Sequence, residues 1–179
     1  TPSRSSAASD VYKRQAWGLH GGIHRGVAHA RCCMHVHSIH ATVLATLADS
    51  HLPPIDQNAC TFYGRHIVDT NYGGLAFEEE GARGATLMSN PKDKVMIMGN
   101  HGIMIIGDTV AETFNRLYYF ERACETYIRA LQTGRPLRII AHDIATKTSQ
   151  ELADYPEQDE RHLSELKGIL TDEGSNFDK

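Results

Sequence analysis

Two apolar runs on either side of a short turn constrain the fold of this chain more than any other feature. Residues 94–107 read KVMIMGNHGIMIIG, in which Val-Met-Ile-Met and Ile-Met-Ile-Ile flank Gly-Asn-His-Gly. Runs of this length, rich in β-branched residues and joined by Gly and Asn, are typical of paired strands with a tight reversal between them. The segment therefore predicts a β-hairpin buried on at least one side, with His101 at its tip.

A further strand is predicted over residues 31–37, RCCMHVH, because its side chains alternate in character. Successive side chains of a strand point to opposite faces of the sheet. Met34 and Val36 should therefore lie on one face, and Cys33, His35 and His37 on the other. This is a strand with a polar face that carries two histidines.

Helical spacing precedes and follows these strands. Residues 16–29 repeat larger side chains at helical intervals, although the glycines among them lower helix propensity. Ser38 can cap the next helix. The side of that helix expected to be buried holds Ile39, Val43, Leu44 and Leu47.

Thr109 and Glu112 form a capping-box pattern, which predicts a long helix to about residue 133, ended by Gly134 and Pro136. A helix over residues 78–90 begins with three glutamates, which favours a solvated first turn. Two polar helices follow over 143–153 and 157–172. The buried edge expected for the last of them consists of Leu163, Leu166 and Leu170. Mixed strands and helices indicate a layered α/β fold.

Composition limits the class of protein. The chain of 179 residues has the length of one domain, and 41% hydrophobic with 22% charged residues excludes an intrinsically disordered protein. Its net charge of −4 argues against a nucleic-acid partner, and no apolar run is long enough for a membrane span. Histidine, with 11 residues, outnumbers tyrosine and phenylalanine and directs attention to a metal or acid–base site.

The four cysteines, at 32, 33, 60 and 124, predict reduced thiols rather than disulfides. Adjacent Cys32 and Cys33 are unsuited to bridging each other, and there is no Cys-x-x-Cys motif. We therefore expect a cytoplasmic protein. Nothing in the cysteine spacing predicts a metal site of the zinc-knuckle type.

Three histidines form a candidate metal site. His35 and His37 project from the same face of a strand, and His101, in a Gly-flanked turn, is the natural third ligand. Three neutral imidazoles and an open position are typical of a catalytic zinc-type site. The alternative is two surface histidines and an unrelated hairpin-tip residue. Of the other histidines, His40 is expected to be structural and His20 to pack near the strand. The expected surface positions are His24, His29, His51, His66, His142 and His162.

The segments MHVHSIHATVLATL and MGNHGIMIIGDTVAETF resemble the class II aldolase/adducin family, in its adducin-like branch. WGLHGGIHR, IDQNACTFYGR and YGGLAFEEEG add to the match, which runs from about residue 16 to 135. The resemblance implies a three-layer α/β/α sandwich around a largely antiparallel sheet. It also implies zinc or another divalent metal ion bound by His35, His37 and His101, and assembly into a homotetramer.

The same resemblance implies a lyase, or a related decarboxylase or epimerase, acting on a small hydroxycarbonyl substrate. The metal would act as a Lewis acid that stabilises an enediolate. Family aldolases carry an acid/base carboxylate four residues before the histidine that matches His20, where this chain has Ala16. The catalytic residue thus stays unassigned. The alternative is an adducin-like assembly or binding domain without catalysis: the intact triad favours the enzyme, and the missing carboxylate favours the alternative.

The expected organisation is a single domain with a foreign leader. The polar, Ser-rich residues 1–15 are expected to be non-native or disordered, and the front of the domain to be missing. Residues 16–135 then form the metal-binding domain, and residues 136–179 are a C-terminal helical extension of it.

Overall fold

A four-stranded mixed sheet forms the middle layer of the fold. The computed structural model describes residues 17–74, 77–155 and 157–177, so the predicted leader and Ala16 lie outside the described residues. The strands are β1 (Cys32–Val36), β2 (His66–Asp69), β3 (Val95–Met98) and β4 (Gly102–Gly107). Their order is β1-β4-β3-β2. β4 runs antiparallel to both neighbours, and β2 runs parallel to β3.

Helices cover both faces of this sheet. They are α1 (17–26), α2 (Ile39–Ala45), α3 (Gln57–Thr61), α4 (Phe77–Leu87), α5 (Val110–Gln132), α6 (His142–Ala153) and α7 (Gln158–Asp172). α1 and α4 pack on one face, and α2, α3 and α5 on the other. The predicted three-layer α/β/α sandwich with a largely antiparallel sheet is confirmed. Each of the described helices is too short or too polar to cross a lipid bilayer.

The hairpin is the centre of the hydrophobic core. Every residue of β3 and β4 is buried. Val95 and Ile97 face α2 and α5, whereas Met96 and Met98 face α1 and α4. Because both faces are covered by helices, neither strand shows polar alternation. The predicted hairpin with His101 in its turn is confirmed.

The glycines of α1 allow it to lie directly against α4. A Cβ atom on Gly22 would lie 2.5 Å from the backbone carbon of Gly81, and one on Gly81 would lie 2.3 Å from the carbonyl oxygen of Gly18. A Cβ atom on Gly26 would lie 2.5 Å from that of Ala85. Residues four apart share a helix face. The glycines that lower helix propensity are thus the residues that permit this helix crossing.

The N-terminus of α2 is capped by α5 and not by its own sequence. Ser38 occupies the N-cap position, but its side chain makes no capping hydrogen bond, so that expectation is wrong. Instead, the carboxylate of Glu121 accepts the backbone N–H of His40 at 2.8 Å and that of Ala41 at 2.9 Å. His40 Nδ1 lies 2.9 Å from the same carboxylate, which makes His40 a structural residue as expected.

Two expected buried faces are only partly correct. Leu44 of α2 is buried and Leu47, just after this helix, packs against the core as expected, whereas Ile39 and Val43 are 74% and 39% exposed. None of the described residues of α7 is buried, and its Leu170 is 38% exposed.

We expect Glu121→Gln to lower the free energy of unfolding by about 1–2 kcal/mol at pH 7. The amide has only one oxygen to accept the two backbone N–H groups that the carboxylate of Glu121 receives. Burial raises the pKa of Glu121, but the hydrogen bonds that the carboxylate accepts outweigh burial, so the pKa lies below its usual value. This stabilisation is therefore present above the unfolded-state pKa and disappears as pH falls through the folded-state pKa.

Urea unfolding at pH 7 and near pH 3 measures this effect. Glu125→Gln on the same helix is the matched control, because Glu125 forms a partly exposed ion pair with Arg129 and should contribute below about 0.5 kcal/mol. Equal losses in the two variants, or a loss that does not shrink at low pH, would contradict the capping role of Glu121.

Candidate metal centre

Three imidazole rings meet where β1 ends beside the hairpin turn. The ring centroids of His35, His37 and His101 lie 4.7 to 4.9 Å apart in all three pairs. The Nε2 atoms of His35 and His37 are 3.1 Å apart. One ring nitrogen of each histidine lies within 4.8 Å of the others. The structure thus brings together all three residues that the sequence singled out.

The alternation of side chains along β1 places His35 and His37 as predicted. Val36 packs with the core cluster on the α2 and α5 face, and Cys33 packs with the cluster on the α1 and α4 face. His35 pairs with Met104 in the sheet register, on the same face as Cys33. The side chains of β1 therefore alternate in the predicted sense.

Two of the three imidazoles are held by a hydrogen bond at the outer ring nitrogen. His35 Nδ1 donates to the carbonyl oxygen of Ile103 at 3.0 Å, and His101 Nδ1 lies 3.0 Å from a carboxylate oxygen of Glu80. Carbonyl and carboxylate oxygens accept protons in hydrogen bonds, so Nδ1 carries the hydrogen and Nε2 keeps its lone pair. Metal-binding histidines are commonly oriented in this way.

Glu80 is the residue of this site that sequence reasoning missed. Three consecutive glutamates favoured a solvated helix start, and Glu78 and Glu79 are exposed. Glu80 is only 7% exposed and faces His101. Successive residues of a helix point about 100° apart, so one of three consecutive side chains can face inward. The three glutamates are visible in the sequence, but His101, the residue that Glu80 contacts, lies on another element.

Desolvation and neighbouring imidazoles favour the neutral forms of His35 and His37. Burial lowers the pKa of His35 to about 4, with the nearby His101 as the next cause. Burial and His101 also lower the pKa of His37. A neutral imidazole is the form that binds a metal ion. At neutral pH, protons therefore do not compete strongly for these two side chains.

Gly102 leaves room for the triad. A Cβ atom at this position would lie 2.6 Å from the carbonyl oxygen of Val36 and 2.8 Å from Cδ2 of His37. Any larger residue would push β1 and its histidines away from the hairpin. The glycine after His101 is thus explained by close contact with β1.

The triad opens toward solvent on one side. His37 is exposed, and the ring of Tyr72, which is 51% exposed, lies 5.8 Å from that of His101. An open, largely apolar groove lined by Phe114, Leu117 and Tyr118 reaches His37. A small molecule can therefore approach the triad from the side of His37.

A second cluster of ligand atoms lies further back on the same face of β1. Cys33 Sγ is 3.0 Å from Nδ1 of His20 and 3.2 Å from Nε2 of His24. Burial, with Cys32 as the lesser cause, raises the pKa of the Cys33 thiol to about 11. His24 is exposed as expected, but the sequence predicted neither its contact with Cys33 nor this cluster.

Comparison with known proteins identifies the family. The family described as "Class II Aldolase and Adducin N-terminal domain" matches residues 6–128. The chain belongs to this family. The resemblance seen in the sequence is thereby confirmed. Class II aldolases typically use a divalent metal ion, and the histidine triad is a group that could hold one.

The relatives of this class II aldolase/adducin chain include a decarboxylase and adducins. It is 26% identical over 141 residues to "Decarboxylase NovR" from Streptomyces niveus, covering 78% of this chain and 51% of that protein. It is 29% identical over 116 residues to human "Beta-adducin", covering 65% of this chain and 16% of that protein. The chain thus spans about half the length of NovR.

Solved structures confirm the fold. An aldolase II superfamily protein from Pseudomonas syringae matches with a TM-score of 0.80 and 25% identity, covering 90% of this chain and 64% of that one. An L-fuculose 1-phosphate aldolase from Glaciozyma antarctica PI12 matches with a TM-score of 0.72 and 20% identity, covering 88% and 60%. At that identity the second likeness concerns the fold alone.

Proposed function

We propose that His35, His37 and His101 bind one divalent metal ion, with zinc as the expected ion. Nitrogen ligands suit zinc, and three protein ligands leave a fourth position open, as in catalytic rather than structural zinc sites. Nitrogen atoms that share a tetrahedral zinc ion lie about 3.4 Å apart. The 3.1 Å between the Nε2 atoms of His35 and His37 is close to that value.

The reaction class proposed for the metal-loaded protein is that of a lyase acting on a small hydroxycarbonyl compound, by aldol cleavage or by related decarboxylation or epimerisation. The observation that carries this proposal is the open triad, in which His35 and His101 are half-buried while His37 is exposed. A bound metal would polarise a substrate carbonyl group as a Lewis acid. A structural site would enclose its ion with four protein ligands.

The protein groups around the triad would position the substrate and move a proton. Glu80 and the carbonyl group of Ile103 hold the rings of His101 and His35 in one orientation. Tyr72 flanks His101 from the solvent side, so its phenol is suited to exchange a proton with a molecule at the triad. We propose Tyr72 as a proton-transfer residue on this geometry.

The similarity to β-adducin supports a second candidate function, an assembly domain without catalysis. Ile39 and Val43, four residues apart on α2, are 74% and 39% exposed and offer an apolar strip for a subunit contact. We propose a homotetramer as the assembly. In the enzyme this contact would lie near the metal site, because α2 directly follows β1.

Deuterium exchange separates the two functions. In D2O, the zinc-loaded protein should exchange hydrogen beside the carbonyl group of hydroxypyruvate or dihydroxyacetone, as measured by NMR. Zinc removal and His101→Ala should each abolish the exchange. Tyr72→Phe should lower kcat by about 10²–10⁴-fold and change KM less. Tyr155→Phe, at an exposed position outside the triad, is the matched control.

A zinc-loaded tetramer that exchanges neither compound would contradict the lyase proposal and favour assembly. A Tyr72→Phe variant with native kcat would remove Tyr72 from the mechanism while leaving the metal site intact.

A further inference from the structure

The cluster of His20, His24 and Cys33 is a candidate ligand site that the triad does not use. We propose that it binds a second divalent cation of the zinc class, through two imidazole nitrogens and one thiolate. This proposal does not depend on the function of the triad. It rests on the convergence of the three ligand atoms, the orientation of His24 and the chemistry of the donor set.

Local structure brings these side chains together. His20 and His24 are four residues apart on α1 and therefore share one helix face. Cys33 points from β1 toward that helix and packs with the core cluster that contains Leu19 and Ile23. The three ligand atoms all lie within 4.8 Å of one another.

The hydrogen bond at the back of His24 orients its ring as in metal sites. His24 Nδ1 lies 2.9 Å from the carbonyl oxygen of Ala30, which can only accept a proton. Nδ1 therefore carries the hydrogen, and the lone pair of Nε2 points at Cys33 Sγ. A backbone carbonyl that fixes the outer nitrogen in this way is common among metal-binding histidines.

The distances suit a tetrahedral ion after a small adjustment. Zinc bonds of about 2.0–2.1 Å to nitrogen and 2.3 Å to sulfur place these atoms about 3.5 Å apart. The observed contacts of 3.0 and 3.2 Å are slightly shorter. His24 is exposed, so its ring can move outward and water can take a fourth position. Nitrogen and sulfur donors select zinc-class ions over magnesium and calcium.

The second site is distinct from the triad. The Cα atoms of Cys33 and His35, two residues apart on one strand face, are separated by roughly 6.5–7 Å. The two groups of ligand atoms share no residue. They are therefore separate ligand sets on β1, each able to hold one ion. An ion at the second one would join α1 to the strand that carries His35 and His37.

Cobalt(II) is the probe that distinguishes the two sites. A cysteine ligand gives cobalt a sulfur-to-metal charge-transfer band in the near ultraviolet, and an all-histidine site does not. We expect the reduced full chain to bind two equivalents of Co²⁺ and to show this band. Cys33→Ser should bind one equivalent without the band. Binding Cys33 to the ion should also release its thiol proton.

Cys32→Ser is the matched control, because Cys32 is the adjacent free cysteine and its side chain points to the opposite face of β1. It should keep both equivalents and the band. His101→Ala should lose one equivalent and keep the band, so failure at the triad is separable from failure here.

His24→Gln changes an exposed side chain and should also lose the band, which provides a test if Cys33→Ser fails to fold. Absence of the band in the native chain at excess Co²⁺ would overturn the proposal. Its persistence in both Cys33→Ser and His24→Gln would do the same.

Discussion

His101→Ala should remove one equivalent of zinc per chain and all metal-dependent activity. His101 is the proposed ligand from the hairpin turn, and its ring lies 4.7 Å from that of His35 and 4.9 Å from that of His37. Two remaining imidazoles on one strand are too few for a catalytic zinc site, which uses three protein ligands. Metal analysis of the purified protein, before and after dialysis against a weak chelator, measures the loss.

A milder substitution, at the neighbouring residue Glu80, tests the same geometry. Glu80→Gln should weaken metal binding about 10–100-fold, since the carboxylate that orients His101 becomes an amide. Glu79→Gln is the matched control, because Glu79 is the exposed neighbour on the same helix turn. Full zinc content in His101→Ala, or equal weakening by the two glutamine variants, would refute the assignment of the triad.

Gly81→Ala should destabilise the protein by about 2–3 kcal/mol, the cost of overpacking a tight contact. The added Cβ atom would lie 2.3 Å from the carbonyl oxygen of Gly18, so α1 and α4 must move apart. The backbone of a packed helix cannot yield as a flexible side chain can. For a chain of this size we expect the melting temperature to fall by roughly 5–10 °C. Thermal and urea unfolding measure the change.

Gly168→Ala is the matched control, because the same substitution at this position should raise the free energy of unfolding and not lower it. Gly168 lies within α7, and an added Cβ atom would have no neighbour within 4 Å. Helix propensity alone should therefore stabilise this variant by up to about 1 kcal/mol. A Gly81→Ala protein as stable as Gly168→Ala would show that the α1–α4 contact does not require glycine.

Several predicted features depend only on local chain geometry, and these are confirmed. The apolar runs around residues 99–101 predict a hairpin buried on at least one side, and β3 and β4 are buried throughout. Thr109 accepts a hydrogen bond from the backbone N–H of Glu112 at the start of α5, as the capping-box pattern predicts. Such patterns are readable because each involves residues a few positions apart.

Apart from the triad, whose three histidines the resemblance to the family also implies, contacts that join distant segments were not predicted. Glu121 on α5 caps α2 although it lies 81 residues from His40 along the chain. Glu80 contacts His101 from a helix whose first turn was expected to be solvated. His66, expected on the surface, accepts the backbone N–H of Leu52 and donates to the carbonyl oxygen of Phe62. The hydrogen-bond partners of such polar side chains depend on which residues lie nearby in the folded chain, and sequence spacing does not predict this.

The sequence by itself determined which face each side chain of β1 takes, because a strand has a period of two residues. His35 and His37 are therefore on one face whatever packs against it, and His101 is at a hairpin tip. Only the tertiary structure decided what lies opposite that face. The glycine contact with α4 sets the position of α1, and this position brings His20 and His24 to Cys33. Packing between elements is non-local, so the second cluster was visible only in the folded chain.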